Sequence, residues 1–283
     1  MKFGNTAAIM MIPDGATEAA ALQRVTHLGI GAHPDDLEFM ALHGILACYK
    51  KKDAWFGGVT CTNGAGSTKR PGGTPRPTSN GDLVRQRHAE QEEAARIGEY
   101  SFIAQLGYTS AEAKDMRDDR LTRDLVAILQ QCRPHTIYTH NPADKHDTHV
   151  AVLVRVIKAL RSLPISHRPA RLLGCEVWRD LDWLDDKAKV RLDVSAHPAL
   201  AEKLAAAFAS QNQAKRYDLA VRGRERANAT FHQSHDPDQA CAVWHAMDLT
   251  PLMQDDSLSI RAFTAQQIDN FKTDVLGKIS ALE

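Results

Sequence analysis

The chain predicts an α/β fold, Rossmann-like, with a mostly parallel sheet and helices on both faces. Two observations carry that expectation. Short apolar runs alternate with amphipathic stretches of helical length along most of the chain, which is the pattern of repeated βα units. The two densest polar clusters, Gly31-Ala32-His33-Pro34-Asp35-Asp36-Leu37-Glu38 and Asp144-Lys145-His146-Asp147-Thr148-His149, each fall just after a predicted strand. In wound parallel sheets ligands bind beyond the carboxyl ends of the strands, where the strand order reverses.

Taken in order, residues 1–23 form a polar leader expected to wrap over the surface, and Arg24–Gly31 is the first strand. Glu38–Lys51 reads as one helix, because Phe39, Leu42, Ile45, Leu46 and Tyr49 recur at helical spacing. Trp55–Thr62 is the second strand. It runs into Asn63-Gly64-Ala65-Gly66-Ser67 and a Gly/Pro-rich stretch, so residues 63–81 are expected to form a long loop bordering a site. Asp82–Gly98 is a helix closed by glycine, and Ser101–Leu106 a short strand. Leu121, Leu125, Ile128, Leu129 and Cys132 make an amphipathic stripe that stops near Pro134. Thr136–Thr139 is the next strand. Val150, Leu153, Ile157 and Leu160 mark the helix after it, with Thr148 as the expected N-cap. Arg171–Trp178 and Val190–Val194 are late strands, Ala199–Gln211 is a helix, and a terminal helix is expected near Ala265–Leu276. No linker or internal repeat divides the chain. It reads as one domain over residues 1–283, with 212–283 an extension that the pattern leaves without a packing partner.

Thirty-five basic residues balance thirty-five acidic ones, which argues against a nucleic-acid or anionic-membrane partner. The five cysteines are scattered and never form C-x-x-C, so neither a disulfide frame nor a thiolate metal site is indicated. The apolar patch at residues 7–12 is too short for a signal peptide, and no run is long enough to span a bilayer. A cytoplasmic location is expected.

The chemistry lies in the two clusters. His33 and Asp36 can converge on one ion, while Asp35 between them can turn toward a water. Imidazole and carboxylate donors keep zinc Lewis acidic and lower the pKa of a bound water to about 7, and an adjacent carboxylate can take its proton. Of His146 and His149, one can ligate the metal and the other can stabilise an oxyanion or protonate a leaving amine. The glycine-rich turn headed by Asn63 has neither the lysine nor the spacing of a P-loop and reads as a pocket wall. Arg87 and Glu90 are either a surface i, i+3 pair or, in the case of Arg87, a donor to a sugar hydroxyl. Elsewhere His43 reads as a core histidine, His197 as a helix start, and His232 and His235 as loop residues. Trp178 and Trp183 read as core, with stacking on a carbohydrate as the alternative.

These motifs resemble the PIG-L/LmbE family of zinc-dependent N-acetylglucosaminyl deacetylases. The hallmark A-H-P-D-D-x-E is met by Ala32, His33, Pro34, Asp35, Asp36 and Glu38. The second motif, usually H-P-D-H, corresponds to His146-Asp147-Thr148-His149, with both histidines kept and both middle residues different. Weaker likenesses are Thr62–Gly66, then Arg87, Glu90, Ala94 and Gly98, then Lys203 and Ser210-Gln211. The resemblance implies zinc, or another divalent transition metal, on His33, Asp36 and His149. It implies Asp35 as general base, His146 as the group assisting the oxyanion or the departing amine, and Arg87 as a substrate contact; Asn63, heading the pocket-wall turn, is expected to contact the substrate as well. Thr148 in place of the usual Asp, and Ala65 where many members carry glutamate, bear on the substrate more than on the chemistry. The implied activity is removal of the acetyl group from an N-acetylglucosamine-containing sugar or glycoconjugate. An amidase acting on a non-sugar amine, or a non-catalytic sugar-binding protein with a relict metal site, are the alternatives. Self-association is left open.

Overall fold

The computed structural model describes residues 1–65, 80–213, 215–232 and 235–283. Its sheet is built from β1 (Ile9–Met11), β2 (His27–Gly31), β3 (Phe56–Thr62), β4 (Phe102–Tyr108), β5 (Thr136–His140), β6 (Arg171–Cys175), β7 (Lys189–Asp193) and β8 (Val243–Asp248). The spatial order is β1-β4-β3-β2-β5-β6-β8-β7. The five strands from β4 through β3, β2 and β5 to β6 run parallel. β1 joins β4 antiparallel at one edge, and β8 lies antiparallel between β6 and β7 at the other. Strand order therefore reverses between β2 and β5, and both polar clusters leave the sheet at that point.

The helices are α1 (Glu18–Gln23), α2 (Asp36–Met40), α3 (Leu42–Cys48), α4 (Asn80–Ile97), α5 (Ser110–Lys114), α6 (Arg120–Cys132), α7 (Asp147–Arg161), α8 (Pro198–Ala206), α9 (Ala209–Asn212), α10 (Tyr217–Phe231), α11 (Thr250–Gln254) and α12 (Ile260–Ser280). They cover both faces of the sheet. Leu28 and Ile30 of β2 point to one face and pack with Leu125 and Ile128 of α6 and Val152 and Val156 of α7. On the other face Phe56 and Tyr138 pack with Ile45 of α3, Leu204 of α8 and Trp244 of β8. Each such aliphatic side chain removed from water contributes about 1.5–3 kcal/mol before chain entropy is counted, so both layers are held by burial. Gly29 of β2 faces the second layer, where a Cβ would lie 2.8 Å from the Phe56 ring and 2.9 Å from Leu37. Its missing side chain lets α2 settle directly on β2.

Several expectations are corrected. The leader is part of the fold: residues 9–11 form an edge strand and residues 18–23 a helix. The helix expected over residues 38–51 is two short helices, because Ala41 leaves helical geometry at φ −108°, ψ 14°. The turn closing α4 reverses at Glu99 (φ +54°) and not at Gly98. The helix expected over 199–211 is split into α8 and α9 at Phe208 (φ −95°, ψ 53°). The C-terminal segment left without a partner supplies β8, which pairs on both sides, and α10, which packs on β8. No helix among the described residues is long and apolar enough to cross a membrane. The loop expected at 63–81 lies for residues 66–79 outside the described residues.

Candidate functional site

The turn from β2 into α2 is an unusual piece of backbone. Asp35 sits at φ +93°, ψ −26°, a left-handed conformation that costs a non-glycine residue roughly 1–3 kcal/mol. Every polar backbone group around it is tied down. His33 N–H donates to Asp36 Oδ2 (2.7 Å), Gln211 Nε2 donates to Pro34 O (2.7 Å), and Asp35 N–H donates to Gln91 Oε1 (3.2 Å). Gln91 is oriented in turn, because its Nε2 donates to Glu38 Oε1 (2.7 Å), which also accepts from Tyr100 OH (2.7 Å). Burial raises the Glu38 carboxyl to about 7, even though both bonds favour its charged form. Glu38, Gln91 and Gln211 thus form a buried frame that holds the strained turn.

Within that turn, His33 Nδ1 lies 3.3 Å from Asp36 Oδ2 and 3.1 Å from His149 Nε2, and His149 Nε2 lies 3.5 Å from Asp36 Oδ1. Four-coordinate zinc with bonds of about 2.0–2.1 Å puts its donor atoms about 3.3–3.4 Å apart; these contacts are of that length, with Asp36 turning Oδ2 to His33 and Oδ1 to His149. Among the described residues two overlapping groups can hold a metal: His33, His146 and His149, and Asp36, His140 and His149. His149 belongs to both. His140, which the sequence reading missed, ends β5, stacks on His149 at 3.9 Å and accepts the Ala32 N–H on Nε2 (2.9 Å). That bond occupies the lone pair it would offer a metal and ties the ends of β2 and β5 together.

His149 is held from behind. Its Nδ1 faces Asp144 Oδ2 at 3.5 Å, and the same carboxylate accepts from His146 N (2.9 Å) and Trp178 N (3.1 Å). A carboxylate behind a ligating imidazole fixes its tautomer and leaves the other nitrogen free to bind. Burial pushes the Asp144 carboxyl up, but the His149 ring and the His146 N–H outweigh it and hold the group below the usual carboxylate range. Burial likewise lowers His149 to about 4, so it is a neutral ring at pH 7. His146, and not Thr148, is the N-cap of α7, its Nδ1 accepting from Thr148 N–H at 3.3 Å. In the neutral ring the proton is then on Nε2. Its affinity for a further proton is lowered by burial and by His33.

Asp35 is 6% exposed, and its carboxyl is pushed well above the usual range by burial and by Asp36, against the pull of Arg87. Asp36 also loses solvation, but the His149 and His140 rings hold its carboxyl well below that range. The two adjacent carboxyls are thus driven apart in acidity.

His33, Asp35, Asp36, His146 and Arg87 open onto one cavity of about 680 Å³. Arg87 is buried and donates to Gly64 O, and Gly64 has φ +68° with room for no Cβ, which would lie 2.9 Å from Arg87 Cδ. The alternative of a surface Arg87–Glu90 pair is corrected, since Glu90 instead accepts from Ser210 N (2.8 Å) and Oγ (2.6 Å). Asn63 is not part of the cavity wall. Its Oδ1 accepts from Ala65 N (3.0 Å) and closes its own turn. Trp178, read from sequence as core, is 36% exposed and lines the cavity, whereas Trp183 packs against Phe271. His43 bonds Tyr138 OH (2.8 Å) inside the protein, and His197 starts α8.

The chain is similar to known proteins in sequence and in fold. Residues 28–160 match the family described as PIG-L, GlcNAc-PI de-N-acetylase. The uncharacterized deacetylase YaiS of Escherichia coli is 27% identical over 155 residues, covering 53% of this chain and 76% of YaiS. Among solved structures, N,N'-diacetylchitobiose deacetylase from Pyrococcus horikoshii superposes with a TM-score of 0.62 at 16% identity, over 86% of this chain and 90% of that one. The 4-carboxy-2-hydroxymuconate hydratase GalB from Pseudomonas putida KT2440 gives 0.61 at 15%, over 80% and 96%. At these identities the likeness to the solved structures shows the fold alone. The β2 and β5 clusters both lie inside residues 28–160, the segment over which this chain is similar to the PIG-L family.

Proposed function

We propose that the protein is a metal-dependent amide hydrolase that removes the acetyl group from an N-acetylated sugar or glycoconjugate. The observation that carries this reading is the triangle of side chains in which His33 Nδ1, the Asp36 carboxylate (Oδ2 toward His33, Oδ1 toward His149) and His149 Nε2 meet at 3.1–3.5 Å, beside the buried carboxyl of Asp35 in the wall of one cavity. These three residues would hold a divalent ion, zinc by donor type, which supplies Lewis acidity and lowers the pKa of a water to about 7.

The chain's own groups account for the proton traffic. Asp35 is not needed for the triangle and lies next to it, so it accepts the proton of the attacking water as the acetamide carbonyl becomes tetrahedral. The His146 ring, with Nδ1 engaged by Thr148 N–H, offers its Nε2–H to the developing oxyanion. Asp35 then returns the proton to the departing amine, and acetate and the free amino compound leave. Arg87, fixed by Gly64 O, lines the same cavity and binds the substrate beyond the acetamide.

The test is acetate release from a panel of N-acetyl sugars and non-sugar N-acetyl amines, combined with metal analysis of the protein and of His149→Ala. Hydrolysis of N-acetyl sugars, with metal lost in the variant, supports the reading. Release only from non-sugar amines moves the assignment to a general amidase. Stoichiometric metal with no release from any amide refutes it.

A further inference from the structure

Beyond the metal triangle, the cavity wall has a chemistry of its own. Apart from Asp35 and Asp36, every charged side chain among its described lining residues is basic: Arg87, Lys114, Lys215 and Arg224. The chain as a whole is neutral, so this is a local concentration and not a general surface property. Arg224 is half-buried, donates to Val177 O and lies 5.8 Å over the Trp244 ring. Lys114 and Lys215 are exposed, and neither makes an ion pair among the described residues. Lys215 Nζ sits 4.3 Å over the ring of Trp178, which meets Tyr217 edge-on at 6.0 Å. The result is an aromatic corner with a cation on top.

Lys215, Tyr217, Arg224 and Trp178 all follow residue 160 and therefore lie outside the segment that matches the family. The reaction centre comes from the family segment, and much of the rest of the wall comes from the chain's own C-terminal part. At about 680 Å³ the cavity is in the usual range for small-molecule sites, with room for far more than an acetamide. With Asp35 and Asp36 engaged at the reaction centre, the remaining field in the cavity is positive.

We propose that this part of the cavity binds an anionic group, phosphate or carboxylate, on the amine side of the substrate, while Trp178 and Tyr217 pack against the ring that carries it. This rests on the deacetylase reading above and narrows its substrate class to anionic N-acetyl glycosides or sugar esters. Lysine ammonium groups act as point charges toward either anion, and the aromatic faces pack on the apolar face of a sugar ring.

The zinc-loaded full chain is assayed for acetate release from methyl N-acetylglucosaminide, N-acetylglucosamine 1-phosphate and an N-acetylglucosaminide with a carboxylate aglycone. The expected result is a kcat/KM at least ~10-fold higher for one or both anionic substrates, equivalent to about 1.4 kcal/mol. That preference shrinks as salt is raised, and the two anionic arms show which anion is preferred. In the double variant Lys114→Gln/Lys215→Gln the ratio of anionic to neutral kcat/KM falls about tenfold. Equal kcat/KM for neutral and anionic substrates, or a ratio unmoved by the double variant, overturns the anion site while leaving the deacetylase reading intact. If no substrate is hydrolysed, that reading fails, and calorimetric binding decides the anion site separately. Tighter binding of the 1-phosphate than of the methyl glycoside, lost in the double variant, upholds it, and equal binding overturns it.

Discussion

Asp144→Asn separates the support of the metal triangle from the triangle itself. Asp144 is buried and faces three nitrogens: His149 Nδ1 at 3.5 Å, His146 N at 2.9 Å and Trp178 N at 3.1 Å. The two backbone groups are donors, and the imidazole must also be a donor there if Nε2 is to bind a metal. A carboxylate offers an acceptor to all three on two oxygens, as hydrogen bonds to the two backbone groups and at 3.5 Å to the ring. An amide has one acceptor oxygen, and its NH₂ meets at least one donor head-on. Removing such a carboxylate from behind a ligating histidine weakens metal binding by about 10–100-fold, or about 1.4–2.7 kcal/mol. The lowered acidity range of Asp144 points the same way, since the His149 ring and the His146 N–H both favour its charged form. The assay is competition for zinc between the protein and a chromophoric chelator at pH 7.5, alongside far-UV circular dichroism to show that the fold is retained. A folded variant that binds zinc within twofold of the parent would show that Asp144 does not orient His149.

Asp35→Asn should lower kcat by roughly 10²–10⁴ with zinc retained, because the amide keeps the shape but cannot accept a proton; zinc loss with activity restored by added metal would exchange base and ligand. Gln91→Leu should destabilise by about 1–3 kcal/mol in urea unfolding and lower kcat as well, since it strips Asp35 N–H and Glu38 of a buried partner and releases the left-handed turn; unchanged stability would mean that the turn holds itself. Burial depresses His27 and His245 to about 4, below the unfolded value near 6.5, so the stability they contribute is present above pH 6.5 and is lost as pH falls toward 4. Glu38 and Glu225 are raised to about 7, so their contribution is full below about pH 4.5 and is lost as pH rises toward 7. His245→Phe, which replaces a ring with two buried, unpartnered nitrogens, should flatten the acid-side loss in chelator-treated protein, and identical pH slopes would refute that assignment.

Local sequence determined the parts of this protein that depend on residues close together in the chain. The period of apolar residues marks β2, β3, β5, α6 and α7, because a strand or helix that buries one face must repeat at its own spacing. His33, Asp35 and Asp36 share one turn and His146 and His149 one helix start, so both clusters could be read directly. Only the tertiary structure decided which groups meet across the fold. Asp144 and His140 act through the convergence of the β2 and β5 ends, and Gln91 and Gln211 reach the His33–Asp35 turn from 56 and 177 residues away. Trp178 looks like a core tryptophan until α10 and Lys215 are set beside it. β8 shows no period of its own, because it is buried on both faces between two antiparallel neighbours and needs no alternation. Side-chain period is a property of one element against one surface, whereas a buried hydrogen-bonded frame or a cavity wall depends on the approach of several elements at once.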